Sequence, residues 1–268
     1  MARYNKKRVR ELQHDAFRDK TMSAFDRLGD RLEGKGRLVL YAIGGLLALG
    51  LLAYLYSWRS DRRTNEARAA LGRAIDITQA TVSPSPVPGA QGPVFATERE
   101  RAQRAAEEFQ KVQDKYGDPF KTQARYFKAA SLLIVDRAQG VSELEAMSRG
   151  GEETVADWAK YALAQARESD GQLDAAASLY GELAKDEDSA VPVETAKLRL
   201  AAVYEKQGKK AEATELLFRI VETARQAKDK DGKPIDQSTA TREAAQTLQR
   251  LDAARHAQLP PEPPRELP

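Results

Sequence analysis

The chain contains no cysteine. That excludes disulfides, thiolate metal sites and a thiol nucleophile, and it removes the lipidated-cysteine route to a membrane. Histidine is almost as scarce: His14 and His256 stand near opposite ends of the sequence, on opposite sides of its one long apolar run, so they form no pair. There is no G-x-x-x-x-G-K-S/T phosphate loop and no glycine-rich strand-to-helix turn. Carboxylate pairs such as Glu107/Glu108 and Glu152/Glu153 are common. In a chain whose residues are 31% charged they read as solvated helix faces. The stretch DKDGKPID (229–236) has the look of a calcium loop. With Gly232 at its sixth position, however, Ala227 and Ser238 fall first and twelfth, where carboxylates are required. It reads as a turn built on Asp-Gly and Lys-Pro. The expectation is no enzyme, no cofactor and no metal site.

A basic main domain is also missing. Residues 1–37 hold 11 Lys/Arg against 6 Asp/Glu, whereas residues 59–268 hold 32 against 34. The net charge of +3 therefore comes from the short N-terminal tail. A nucleic-acid binder would place a basic face on its folded part, so no nucleic-acid partner is expected.

Long apolar runs are absent except for one. Residues 38–58, LVLYAIGGLLALGLLAYLYSW, are 21 residues without a charge in a chain of mean hydropathy -0.61. As a helix the run is about 30 Å long, the thickness of a bilayer's hydrocarbon layer. Apolar on every face, it needs apolar surroundings that the rest of the chain cannot supply. A cleaved leader has a shorter apolar region followed by small residues. This run ends in Tyr54, Tyr56 and Trp58, which suit a headgroup boundary, as Tyr41 does at the other end. The expectation is a retained signal anchor with the lipid bilayer around residues 38–58. Flanking cations are evenly matched: Lys20, Arg27, Arg31, Lys35 and Arg37 before the run, Arg59, Arg62, Arg63, Arg68 and Arg73 after it. The whole tail tips the balance toward a cytoplasmic N-terminus, because a long C-terminal domain translocates largely regardless of charge. Gly44 and Ala48 form one small-x-x-x-small pair, which fits either helix pairing or packing among lipid tails. The tail carries Val9, Leu12, Phe17, Phe25, Leu28 and Leu32 among its charges. It is either an amphipathic stretch on the membrane or a solvated topogenic segment.

Beyond the apolar run, RSDRRTNEARAALGRAI has one glycine and no other helix breaker, so the helix should continue to about Ala80. SPSPVPGAQGP then has four prolines and two glycines in eleven residues and must be a loop. After it a period appears. Aligning Gly171 with Gly208, at an offset of 37 residues, sets Leu163 over Leu200, Ala164 over Ala201, Ala176 over Ala213, Tyr180 over Leu217 and Leu183 over Ile220. Small residues let two antiparallel helices approach, and the large ones fill the space against the next pair. The pattern resembles the tetratricopeptide repeat, whose unit is about 34 residues; the extra residues fit the loop KDEDSAVP. Upstream, Ala105 and Phe109 have the look of a second helix from an earlier repeat, with YGDP as the following turn. A degenerate repeat is expected at about 121–149, where SELEAMSRGG matches poorly. Ser238 is a candidate N-cap for a closing helix reaching about Ala257. Stable arrays need about three units, and the helix at 59–80 is expected to serve as a partner at the start.

The fold class expected is all-α: one N-terminal transmembrane helix continuing into a domain of tetratricopeptide-like helical hairpins. The divisions are a basic cytoplasmic tail (1–37), the membrane helix (38–58), a polar helix leading off the membrane (59–82), a Pro-rich loop (83–97), repeats (98–225), a turn and closing helix (226–258) and a Pro-rich tail (259–268). In this repeat type the first helix of each pair lines a groove. The residues so placed are Trp158, Tyr161, Gln165 and Glu168, then Thr195, Leu198, Ala202 and Glu205, each set on one helical face. Trp158 could instead lie between repeats if the register slips. Exposed aromatics at the centre of a groove would anchor a protein partner. Tyr161→Ala is then expected to weaken partner capture with little change in thermal midpoint.

The layout of LYSWRSDRRTNEARAALGRAI followed by these repeat positions resembles the YfgM-like family. That resemblance implies a single-pass protein of the bacterial inner membrane facing the periplasm, associated with the SecYEG translocon and the periplasmic chaperone PpiD. The partners implied are translocon subunits and a periplasmic chaperone or its clients, and the role is assistance to protein export. The alternative is an envelope or cell-division scaffold that bridges complexes without a part in export. The oligomeric state is open.

Overall fold

A computed structural model describes residues 36–85, 88–89 and 92–262. The expectations for the N-terminal tail and for the last residues of the Pro-rich tail lie outside them. The chain divides into two compact units, one ending at Asn65 and the other beginning at Glu66.

The described part of the first unit is helix. Helix α1 (Gly36–Thr78) runs through the apolar stretch without interruption and on into the second unit. Its large side chains from Tyr41 to Trp58 are exposed among the described residues. It is long and apolar enough to cross a membrane.

In the second unit, the end of α1 leads through Ala67, Leu71 and Ala74, spaced four and three apart on one face and all buried. Two short strands follow, β1 (Thr81–Val82) and β2 (Val94–Phe95), paired in parallel with Thr81 opposite Val94. They close the ends of the Pro-rich loop, helped by Ser83 N–H donating to Phe95 C=O at 2.9 Å. Arg101 Nη1 donates to Ala80 C=O at 3.1 Å and ties the helix end to the next element. Helix α2 (Glu98–Lys115) starts at Thr97, whose hydroxyl accepts from Glu100 N–H at 3.1 Å. Glu100 in turn accepts from Ala96 N–H at 3.0 Å, so the two side chains satisfy donors that the first turn leaves open.

The rest is a succession of antiparallel helices. Helix α3 (Phe120–Val135) is followed by α4 (Arg137–Ser148), with only Asp136 between them. Next come α5 (Glu153–Ser169) and α6 (Leu173–Leu183), then α7 (Val193–Lys206) and α8 (Lys210–Gln226). The closing pair is α9 (Thr239–Leu251) and the short α10 (Ala253–His256). Ser238 caps α9 by accepting from Thr241 N–H at 3.1 Å. Asp252 ends α9 and caps α10, so the closing segment is two helices where one was expected.

One pattern recurs on α2, α4, α6 and α8: a small residue, a large one four further on, and another three beyond that. It reads Ala105/Phe109/Val112 in α2, Gly140/Leu144/Met147 in α4, Ala176/Tyr180/Leu183 in α6 and Ala213/Leu217/Ile220 in α8, and all twelve are buried. The spacing puts the three residues on one stripe. The small residue lets the partner helix approach. At Gly140 the approach is so close that a Cβ would stand 2.7 Å from Leu133 N and 2.9 Å from Leu132 C. The poorly matching helix is thus a full member of the series. Its glycine and methionine hid the pattern.

Gly171 and Gly208, the two aligned glycines, have φ of 74° and 75°. Each lies just past a helix end in the left-handed region that favours glycine. Around them Gln172 N–H donates to Arg167 C=O and Lys209 N–H to Tyr204 C=O, both at 2.9 Å, so the two turns are equivalent in detail. The core is a row of apolar clusters along the array. One joins Leu71 to Phe109, one joins Leu144 to Leu163, one joins Tyr180 to Leu200, and one joins Leu217 to Leu248. First helices of successive pairs approach one another, α3 with α5 and α7 with α9. Second helices have no comparable contact among the described residues. The first helices thus share one side of the second unit, called its inner side below.

Candidate functional site

Helix α5 contributes the centre of this inner side. Trp158 and Tyr161 are half-buried. Trp158 lies 5.9 Å from the ring of Tyr126 on α3 and packs against the clusters on both sides of it. Tyr161 meets Tyr180 edge-on at 5.7 Å. Gln165 is exposed. Glu168, one turn later, is buried.

Helix α7 behaves differently. Leu198 is only 8% exposed and belongs to the core with Phe218, Val221 and Leu248. It supports the inner wall and is not presented on it, because α9 lies across its face. Thr195 and Ala202 are half-buried. Glu205 receives both Arg250 terminal nitrogens, each at 3.0 Å, which links α7 to α9.

Glu168 is the least expected of these residues. Its side chain is 5% exposed yet carries a carboxylate. Arg199 Nη2 donates to it at 2.6 Å, Lys206 Nζ at 2.7 Å and the Tyr180 hydroxyl at 3.2 Å. Burial alone would raise its pKa, but the hydrogen bond from Lys206 and the charge and hydrogen bond of Arg199 outweigh that and hold it below the usual carboxylate range. Burial pushes the Tyr180 phenol far up, with Arg199 opposing and Glu168 reinforcing the shift. Burial also raises Tyr126 and Tyr161, and Tyr161 feels Arg199, Glu168 and Glu243 of α9. Glu168 and Tyr180 belong to one hairpin, Arg199 and Lys206 to the next. The carboxylate therefore fastens neighbouring repeats together.

No protein-family model matches the chain, and no curated protein matches it. Among solved structures it is similar to two from Podosopora anserina described as "kinesin light chain nearly identical TPR-like repeats", one of them a single-site variant. Identities are 15% and 16%, TM-scores 0.48 and 0.49, and each match covers 72% of this chain and 88% of the other. The repeat class rests on the chain's own hairpins, its recurring buried stripe and its matched glycine turns. It is an all-α, tetratricopeptide-like array.

The structure therefore brings Trp158, Tyr161, Gln165 and Glu168 together on one face and places Leu198 behind it. Tyr126, Arg199 and Glu243 adjoin that face and were not singled out from the sequence. Tyr126 sits in the degenerate pair, where no alignment could reach it. Arg199 precedes the aligned Leu200, and its charge could not be paired with Glu168 until the helices were packed. The DKDGKPID segment is a tight turn: Asp229 Oδ1 accepts from the N–H groups of Asp231 and Lys233, both at 2.9 Å. Among the described residues no cluster of three or more His, Asp or Glu could hold a metal ion.

Proposed function

We propose that this chain is a membrane-anchored protein-interaction module. Residues 38–58 hold it in the inner membrane of a bacterium with the N-terminus in the cytoplasm and the repeats in the periplasm. The inner face of the array takes an extended segment of a protein partner against Trp158, Tyr161 and Gln165. Glu168 and Glu205 act beneath and beside that face by fixing the spacing of its helices. Support for the combination comes from α1, a single uninterrupted helix that contains both the apolar run and the first buried residues of the array, Ala67 and Leu71. An interaction module fits the rest of the architecture, since repeat arrays present extended surfaces rather than closed catalytic pockets. The resemblance of LYSWRSDRRTNEARAALGRAI to the YfgM-like family favours a partner in protein export, either a translocon subunit or a periplasmic chaperone.

A photo-crosslinking residue at Gln165, exposed on the proposed face, tests the reading in native membranes. Adducts with translocon or chaperone subunits are expected. Adducts only with division or envelope components would transfer the function to scaffolding. Protease added to spheroplasts should digest residues 59–268 and spare the tail; protection of the repeats would refute the periplasmic assignment.

A further inference from the structure

Five polar side chains on the first helices have no side-chain hydrogen bond among the described residues: Tyr126 on α3, Trp158, Tyr161 and Gln165 on α5, and Thr195 on α7. The rings themselves are engaged, since Trp158 lies against Tyr126 and Tyr161 against Tyr180. Their polar tips are not. Nor is any of those tips sealed from solvent: each opens at the surface. The inner face thus offers anchored aromatic bodies with free hydrogen-bonding ends, the form of side chain that interfaces favour.

The charges that flank these tips balance. Glu168, Glu205 and Glu243 stand against Arg199, Lys206 and Arg250, and all but Glu243 are held in the ion pairs between repeats. Glu243 acts on the Tyr161 hydroxyl from α9. A charged ligand would lose water here without meeting a net charge of opposite sign.

A hydroxyl and a carboxamide both donate and accept, and an indole N–H donates. Their complement is an uncharged group that offers a donor and an acceptor together, as each peptide unit does. In a helix or a sheet those backbone groups are already paired. An extended segment leaves them open along its whole length.

We propose that the inner face holds the main chain of an extended, uncharged polypeptide segment, with the tips of Tyr126, Trp158, Tyr161, Gln165 and Thr195 hydrogen-bonded to its peptide groups. The proposal rests on the interaction-module reading above and makes selection depend on an open backbone more than on side-chain charge.

Fluorescence anisotropy of a labelled, end-capped peptide of Val, Ser and Gln, titrated with the detergent-solubilised full-length chain, tests it. Exchanging peptide N–H groups for ester oxygens removes donors without altering side chains. It should weaken binding by about fivefold for each donor that meets the face. Tyr126→Phe combined with Tyr161→Phe keeps the rings, so it should weaken the amide peptide while leaving Tm nearly unchanged. Placing Asp or Lys at the centre of the peptide should weaken binding in both cases. Equal affinity of ester and amide peptides, a gain from either charge, or no binding of any peptide would overturn the proposal. Adducts at Gln165 in native membranes would then leave the interaction module standing, and their absence would remove that as well.

Discussion

Removal of the Glu168 carboxylate should loosen two repeats at once. The carboxylate is 5% exposed, while Arg199 and Lys206 are 37% and 55% exposed. Breaking a fully buried ion pair costs about 3–5 kcal/mol. Here both cations can regain water when their partner is lost, which lowers the figure. The Tyr180 hydroxyl cannot, since that residue is completely buried, and an orphaned buried donor costs about 1–3 kcal/mol. Glu168→Ala should therefore destabilise the array by about 2–4 kcal/mol, or roughly 5–15 °C in Tm for a domain of this size. Glu168→Gln keeps an acceptor for Tyr180 and should cost less. Urea unfolding of the detergent-solubilised chain, followed by helical circular dichroism, measures both. The pH dependence gives a second check. A carboxylate whose folded pKa lies below its unfolded value of about 4.3 contributes fully above that value. Its contribution is lost as pH falls through the folded pKa. The stability gap between the wild-type chain and Glu168→Gln should thus be level at neutral pH and shrink below about pH 4. A gap under about 0.5 kcal/mol at pH 7, or one that widens in acid, would refute the idea that this group fastens the repeats.

Gly140→Ala should destabilise by about 1–3 kcal/mol in the same unfolding assay, because its Cβ meets backbone that cannot move aside. Gly181→Ala, in α6 with nothing within 4 Å, should instead stabilise by up to about 1 kcal/mol. Leu144→Ala removes a fully buried side chain at the same junction and should cost about 2–5 kcal/mol by denaturant titration. Tyr161→Ala no longer isolates binding from stability, since the ring packs on Tyr180. Tyr161→Phe keeps that packing, so it should leave Tm nearly unchanged and lower crosslinking yield at Gln165 if the hydroxyl meets the partner.

The parts of the fold legible in the sequence were those written as period or composition. Gly171 and Gly208 could be matched because a left-handed turn tolerates few other residues, and Ala176/Ala213 because two helices touch there. The same stripe in α4 was hidden, since Gly140 and Met147 satisfy the geometry without resembling their counterparts. The pair β1–β2 left no periodic trace, for two residues cannot alternate visibly. On the candidate face, Trp158 and Tyr161 were proposed from register alone, and both are half-buried. Leu198 occupies the equivalent position one repeat later, yet α9 covers it.

By itself the sequence determined that one helix is apolar on all sides and that polar helical pairs follow it. Hydropathy and helical spacing are local properties that any packing must respect. Only the tertiary structure decided which of the equivalent positions face outward and where buried charge is tolerated. Glu168 could be any solvated helix carboxylate until α7 brings Arg199 and Lys206 to it, because the partners that make a buried charge stable belong to the next repeat.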